Sequence, residues 1–138
     1  PVVIRNPFST RPWQHVLEPI SGYLVLAENL YNKGDEFAEG WNFGPKEEGC
    51  KSVHWILETM IKQWGDGANW ELDKNNNPHE AGFLKLDCSK AANRLKWQPK
   101  WELAESLALI VDWHLDWNAG VNMKIKCLQE IVNYSKQN

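Results

Sequence analysis

Two of the three arginines in this 138-residue chain, Arg5 and Arg11, stand six positions apart near its start, and Trp13, Gln14 and His15 follow directly. Lysine is the cation used almost everywhere else. Arginine carries a planar fork of donors that grips phosphate or carboxylate at two points, whereas lysine offers a point charge. On an extended backbone alternate residues share a face. Arg11, Trp13 and His15 would then present a fork, an aromatic wall and a titratable donor together, which suits an anionic ligand. The competing role for Arg11 is a surface ion pair with one of the 18 acidic residues, an interaction of small energetic value.

His79 and Glu80, followed by Ala81, Gly82 and Phe83, form a second candidate cluster. They close a long polar loop, where binding groups often sit. Three other patterns fail on spacing. The run from Gly44 to Ser52 nearly spells a phosphate loop, but Cys50 inserts one residue before the lysine of GxxxxGK[ST]. Glu47 and Glu48 would also repel the ligand. Asp112, His114 and Asp116 are two apart on a helical pattern, so the histidine points away from the carboxylates. Cys50 and His54 lack the second ligand pair of a zinc site. No serine or cysteine stands in a recognisable nucleophile elbow or triad context.

The elements that must position these groups belong to a chain with 43% hydrophobic and 24% charged residues, a globular composition. A net charge of −3 argues against general nucleic-acid binding, which needs a basic stripe. No apolar run approaches the roughly 20 residues of a membrane span, so no membrane partner is expected. No signal-peptide pattern opens the chain. Three cysteines, an odd number without motif spacing, point to a reduced cytoplasmic protein. Nine tryptophans are a heavy load, useful in cores and interfaces alike. The opening Pro1-Val2-Val3-Ile4 resembles a strand already under way, so a fragment of a longer chain is expected.

Val2 to Arg5 reads as a short strand, followed by a second extended piece around Trp13 to Val16. Pro19 suits the first turn of a helix whose apolar spacing runs to Tyr31, with Gly34 as its stop. Trp41 to Phe43 is a strand candidate. Ser52 is placed to cap a second helix bearing Val53, Ile56, Leu57, Met60, Ile61 and Trp64, closed by Gly65. Extended pieces at 69–72 and 83–86 flank the polar loop 73–82. Asp87 or Ser89 caps a short helix through Leu95. A helix over 102–118 buries Leu103, Leu107, Ile110, Trp113 or His114, and Trp117. A last helix covers 128–136. Short strands threaded among amphipathic helices give an α+β fold with helix dominant.

The stretches "RPWQHVLEPISGYLVLAENL", "WNFGP", "HEAGFLKLDCSKAANRLKWQPKW" and "ESLALIVDWH" follow one another in this chain as in the C-terminal portion of extended short-chain dehydrogenases, in the nucleotide-sugar dehydratase and epimerase group. Arg11-Pro12-Trp13 resembles that family's Arg-Asp-Trp/Phe element. Trp41-Asn42-Phe43-Gly44 resembles its Tyr-Asn-Ile-Gly element, and Leu95-Lys96-Trp97-Gln98-Pro99 its Leu-Gly-Trp-x-Pro element. Within the group the likeness is nearest to a 4,6-dehydratase, on "RPWQHVLEP" and "HEAGFLKLD".

The resemblance implies that residues 1–138 are a single helix-dominated, C-terminal substrate-binding lobe with a few short strands, and that the Rossmann domain is absent. Such enzymes hold NAD on that domain and the nucleotide sugar mainly on the C-terminal lobe. Neither a GxxGxxG turn nor a Tyr-x-x-x-Lys pair occurs in this chain, so no bound cofactor and no catalytic residue is expected within it. The resemblance also implies that Arg11 reaches the diphosphate of the nucleotide sugar. Trp13, His15, Arg5, His79 and Glu80 complete the expected substrate-binding set, with no metal. Many relatives carry a second phosphate-binding arginine where this chain has His79-Glu80-Ala81. The missing Rossmann domain and a second copy of the chain are the expected protein partners, the latter as a homo-oligomer. An epimerase or reductase of the same family, and a non-catalytic interaction domain that keeps the fold, remain open alternatives.

Overall fold

The computed structural model describes residues 1–65, 67–75 and 78–137. Among the described residues the longest elements are four helices: α1 Leu17–Lys33, α2 Val53–Trp64, α3 Leu103–Asn118 and α4 Met123–Lys136. The strands are three residues each: β1 Val2–Ile4, β2 Thr10–Pro12, β3 Cys50–Ser52 and β4 Trp70–Leu72. β1 pairs with β4 in parallel, and β2 pairs with β3 antiparallel, with Arg11 opposite Lys51. About 54% of the chain is helical, so the α+β class with helix dominant holds.

The helix boundaries follow their capping residues. The Ser52 hydroxyl accepts the amide of Trp55 at 3.2 Å, as its position predicts. Gly34 and Gly65 close α1 and α2 at φ 61° and 75°, where a side chain would be strained. Asn122 accepts the amides of Lys124 and Ile125, so the last helix starts at Met123 rather than Leu128. The Asp87 carboxylate takes the amide and hydroxyl of Ser89 at 2.9 and 2.6 Å, and the following turn is wound as a π-helix over Ala91–Leu95.

The extended pieces differ more from expectation. The second strand lies at Thr10–Pro12, not around Trp13 to Val16, because its partner β3 ends opposite Pro12 and Val16 is already helical. Trp41 to Phe43 forms no strand; Phe37, Phe43, Ala91, Leu95 and Trp97 make one core cluster, with Trp41 packed against it. A Cβ on Gly22 would meet the Phe43 ring at 2.3 Å, so α1 depends on glycine for this close approach. Phe83 makes a single bridge to Thr10 instead of opening a strand. Within the polar loop 73–82, residues 76 and 77 lie outside the described residues. A second cluster joins α2 to α3 through Ile56, Leu103 and Leu107, flanked by Trp13, Trp55 and Met60. Trp117, expected on the buried face of α3, is 58% exposed, whereas Trp97 and Trp101 are buried.

Glu18, in the first turn of α1, is 0% exposed. Its carboxylate accepts the amides of Lys100 at 3.0 Å and Trp101 at 2.8 Å, and the Tyr134 hydroxyl at 2.6 Å. The start of α1, the segment before α3 and the far end of α4 therefore meet on one side chain. Replacing Glu18 by Gln would turn an NH₂ toward backbone N–H donors and is expected to cost about 3 kcal/mol, against about 1–2 kcal/mol for Tyr134→Phe. Urea denaturation of the two variants measures this, and a Glu18→Gln midpoint equal to the wild type would remove Glu18 from the framework.

Candidate functional site

β2 carries Arg11 between two neighbours. On one side it is laddered to β3, and Val53 and His54 donate their amides to the carbonyls of Ser9 and Pro7 at 3.0 and 2.7 Å. On the other side the amide of Thr10 donates to Gly82 at 2.9 Å, and that of Leu84 to Thr10 at 3.1 Å. This pairing brings Glu80 to the arginine. Arg11 Nη2 donates to Glu80 Oε1 at 2.6 Å, and Nη1 donates to the Thr10 carbonyl at 2.9 Å. The Arg11 side chain is 20% exposed and that of Glu80 44%.

Asn6, which its sequence context did not single out, donates Nδ2 to the other Glu80 oxygen at 2.8 Å. Hydrogen bonds from Arg11 and then Asn6 hold the Glu80 carboxyl below the usual carboxylate range, with a further electrostatic contribution from Arg5. Two of the five N–H donors of Arg11 are engaged in these bonds, so its fork retains donors for an oxyanion.

Trp13 and His15 do not line up with Arg11 on one face. β2 ends at Pro12, although the Trp13 amide still donates to the Gly49 carbonyl at 3.1 Å, and both rings are engaged in the interior. Trp13 packs against the cluster between α2 and α3 and donates its indole N–H to the Lys51 carbonyl at 2.9 Å. His15 is 5% exposed and stands edge-on to Trp101 at 4.8 Å between ring centroids. Of the six expected ligand-contacting residues, the structure joins Arg11 and Glu80 directly and places Arg5 within electrostatic range; His79 is exposed beside them in sequence.

His15 instead lines a cavity of about 320 Å³ with Val16, Leu17, Ile110, Trp113, His114, Cys127, Glu130 and Ile131. Its Nδ1 accepts the amide of Leu17 at 3.3 Å, which leaves the proton of the neutral ring on Nε2. Burial pushes the His15 pKa down from 6.5, with Glu18 pulling less strongly the other way. Glu130 Oε1 is buried without a hydrogen-bond partner, and burial pushes that carboxyl up. Trp113 donates its indole N–H to Cys127 Sγ at 3.4 Å. The lining is mostly apolar and includes no lysine or arginine for a phosphate.

The patterns dismissed on spacing have structural roles. Lys126 pairs with Asp112 and, at 2.7 Å, with Asp116, while His114 packs among Trp64, Trp113 and Trp117. Among the described residues no group of three or more His, Cys, Asp or Glu side chains is placed to hold a metal ion. Glu47, in the loop that resembles a phosphate cradle, pairs with Lys85. Among the described residues no helix is long and apolar enough to cross a membrane.

No protein-family model matches the chain. Over 133 residues, 96% of its length, the chain is 56% identical to the CDP-glucose 4,6-dehydratase of Salmonella typhimurium. It spans 37% of the length of that relative and matches its C-terminal part, which bears out the likeness read from the four motif stretches.

The buried, neutral His15 gives stability a definite pH dependence. Its folded pKa lies below the unfolded value of 6.5, so the unfolded chain takes up more protons as pH falls, and stability declines from that point downward. Glu130 acts in the opposite sense, because its raised carboxyl binds a proton earlier in the fold than in the unfolded chain. Comparison with His15→Gln isolates the imidazole. From about pH 7.5 to about pH 5.5 the wild-type urea midpoint is expected to fall more steeply than that of the variant. Parallel declines would show that His15 is not held neutral.

Proposed function

We propose that these 138 residues are the nucleotide-sugar-binding lobe of an NAD-dependent CDP-glucose 4,6-dehydratase, a lyase of deoxysugar biosynthesis. The observation that carries the assignment is the 56% identity to a curated enzyme of that name over nearly the whole chain. The geometry adds support at Arg11, a half-buried fork fixed on a laddered strand with donors left for an oxyanion.

In this assignment the lobe binds and orients. Arg11 receives the diphosphate of CDP-glucose, with Arg5, which acts electrostatically on Glu80, as an additional cation and His79, next to Glu80 in sequence, as a further donor. The reaction of the proposed enzyme takes a hydride from C4 of the glucose, eliminates water across C5–C6 and returns the hydride at C6, giving CDP-4-keto-6-deoxyglucose. NAD supplies the hydride acceptor when bound. The residues of this chain do not fit that cofactor. The described parallel pairing, β1 with β4, is followed by no glycine-rich turn that would cradle a pyrophosphate. No chemical step is therefore assigned to side chains of this lobe.

The 138 residues by themselves are expected to produce no keto sugar from CDP-glucose and to take up no NAD. A saturable NAD titration by fluorescence would overturn the assignment as a substrate lobe. In the complete enzyme, Arg11→Lys keeps the charge and loses the two-point grip. One charge-assisted hydrogen bond is worth about 1.5–3 kcal/mol, so CDP-glucose affinity should weaken roughly tenfold to a hundredfold, with NAD affinity and thermal stability nearly unchanged. Calorimetric titration with CDP-glucose decides it: equal dissociation constants for wild type and variant would end the phosphate grip.

A further inference from the structure

The Arg11 fork already has an anionic occupant. Glu80 Oε1 sits 2.6 Å from Nη2, where an oxygen of a phosphate would make the same charge-assisted bond. The contact is not a chance rotamer of a loose loop. Glu80 is two residues from Gly82, whose carbonyl is tied to the amide of Thr10 at 2.9 Å, and Asn6 fixes its second oxygen at 2.8 Å. Arg11 in turn is anchored through Nη1 to Thr10 and by its strand.

We propose that Glu80 is a resident counter-ligand of the Arg11 fork, which competes with the phosphate of a bound ligand, so that Glu80 sets the affinity of the site. The proposal rests on Arg11 being the phosphate-binding residue. Exposure indicates which partner moves. Glu80 is 44% exposed and Arg11 20%, so the carboxylate can turn into solvent while the guanidinium keeps its place. An exposed ion pair is worth little and so is exchanged at low cost, while a diphosphate brings more charge and more acceptor oxygens than one carboxylate. Once Glu80 leaves, the vacated position keeps the field of Arg11 itself and of Arg5, which acts electrostatically on Glu80. While Glu80 stays, its charge opposes any second anion at the fork.

The role is distinct from a positioning one, in which Glu80 would aim the fork and its loss would weaken binding. Glu80→Gln separates them, because it keeps the size and an acceptor oxygen while removing the charge. Isothermal titration with inorganic pyrophosphate, which lacks base and sugar, is the measurement. Glu80→Gln is expected to bind about two- to fivefold more tightly than the wild type, the range that an exposed pair of this kind supports. Unchanged or weaker binding by Glu80→Gln, with Arg11→Lys still impaired, would overturn the counter-ligand and leave Arg11 as the phosphate residue. Pyrophosphate binding indifferent to Arg11→Lys would overturn both.

Discussion

A carboxylate shut away from water must find its hydrogen bonds inside the protein, and that requirement at Glu18 organises this fold. Two backbone amides and one phenol meet it, drawn from Lys100, Trp101 and Tyr134. Bringing them together sets the start of α1 against the segment before α3 and the end of α4. Trp101 is thereby held edge-on between His15 and Tyr134, at 4.8 and 4.9 Å between ring centroids. Ser21, one turn further along α1, accepts the indole N–H of Trp97 at 2.8 Å and contacts the Tyr134 hydroxyl at 2.9 Å. The position of Glu18 near a helix N-terminus suits its charge, since the backbone amides there carry the positive end of the helix dipole.

From Glu18 the constraint passes back along the chain to Arg11. A two-stranded ribbon of three residues has little stability of its own, so β2 must be held by what surrounds it. The start of α2 takes two of its flanking carbonyls, and the Trp13 indole is bonded to the carbonyl of Lys51 in β3. Past Pro12 the chain is drawn toward the buried His15 and Glu18. Arg11 thus sits in a strand held on both sides by backbone hydrogen bonds.

The helices were legible because their signals are local. Apolar spacing with Ser52, Gly34 and Gly65 at the ends marks α1 and α2, and Asn122 is a local signal of the same kind at the start of α4. Two strands were legible as well, since the expected pieces at Val2 to Arg5 and 69–72 hold β1 and β4. β2 and β3 were not, because each is defined by its partner: Thr10–Pro12 is extended where Cys50–Ser52 lies against it, and no feature of residues 13–16 shows that the strand stops at Pro12. Expecting Trp13 and His15 beside Arg11 failed for the same reason. Glu18 reads in sequence as an ordinary first-turn acid, since its phenol partner is 116 residues away. Arg11 and Glu80 are each visible in the sequence as candidates, and a surface ion pair is one of the two roles open to Arg11 there. That the two are each other's partner depends on a separation of 69 residues that only the fold closes.

Three glutamates show how surroundings decide what one side chain can do. Glu18 is buried with both oxygens bonded, and any exchange of partners would strand backbone amides, so it serves architecture alone. Glu130 is buried with Oε1 unpartnered and its carboxyl pushed up by burial, a state that favours the proton-bearing form over the charge. Glu80 is ionised, half-exposed and paired with a guanidinium, and water stands ready to solvate it if the pair opens. Only the third environment lets a charged partner be exchanged for another without a buried group being left unsatisfied. Under the proposed function, reversible recognition of an anion belongs on the β2 surface at Arg11, while Glu18 serves the joint that holds that surface in place.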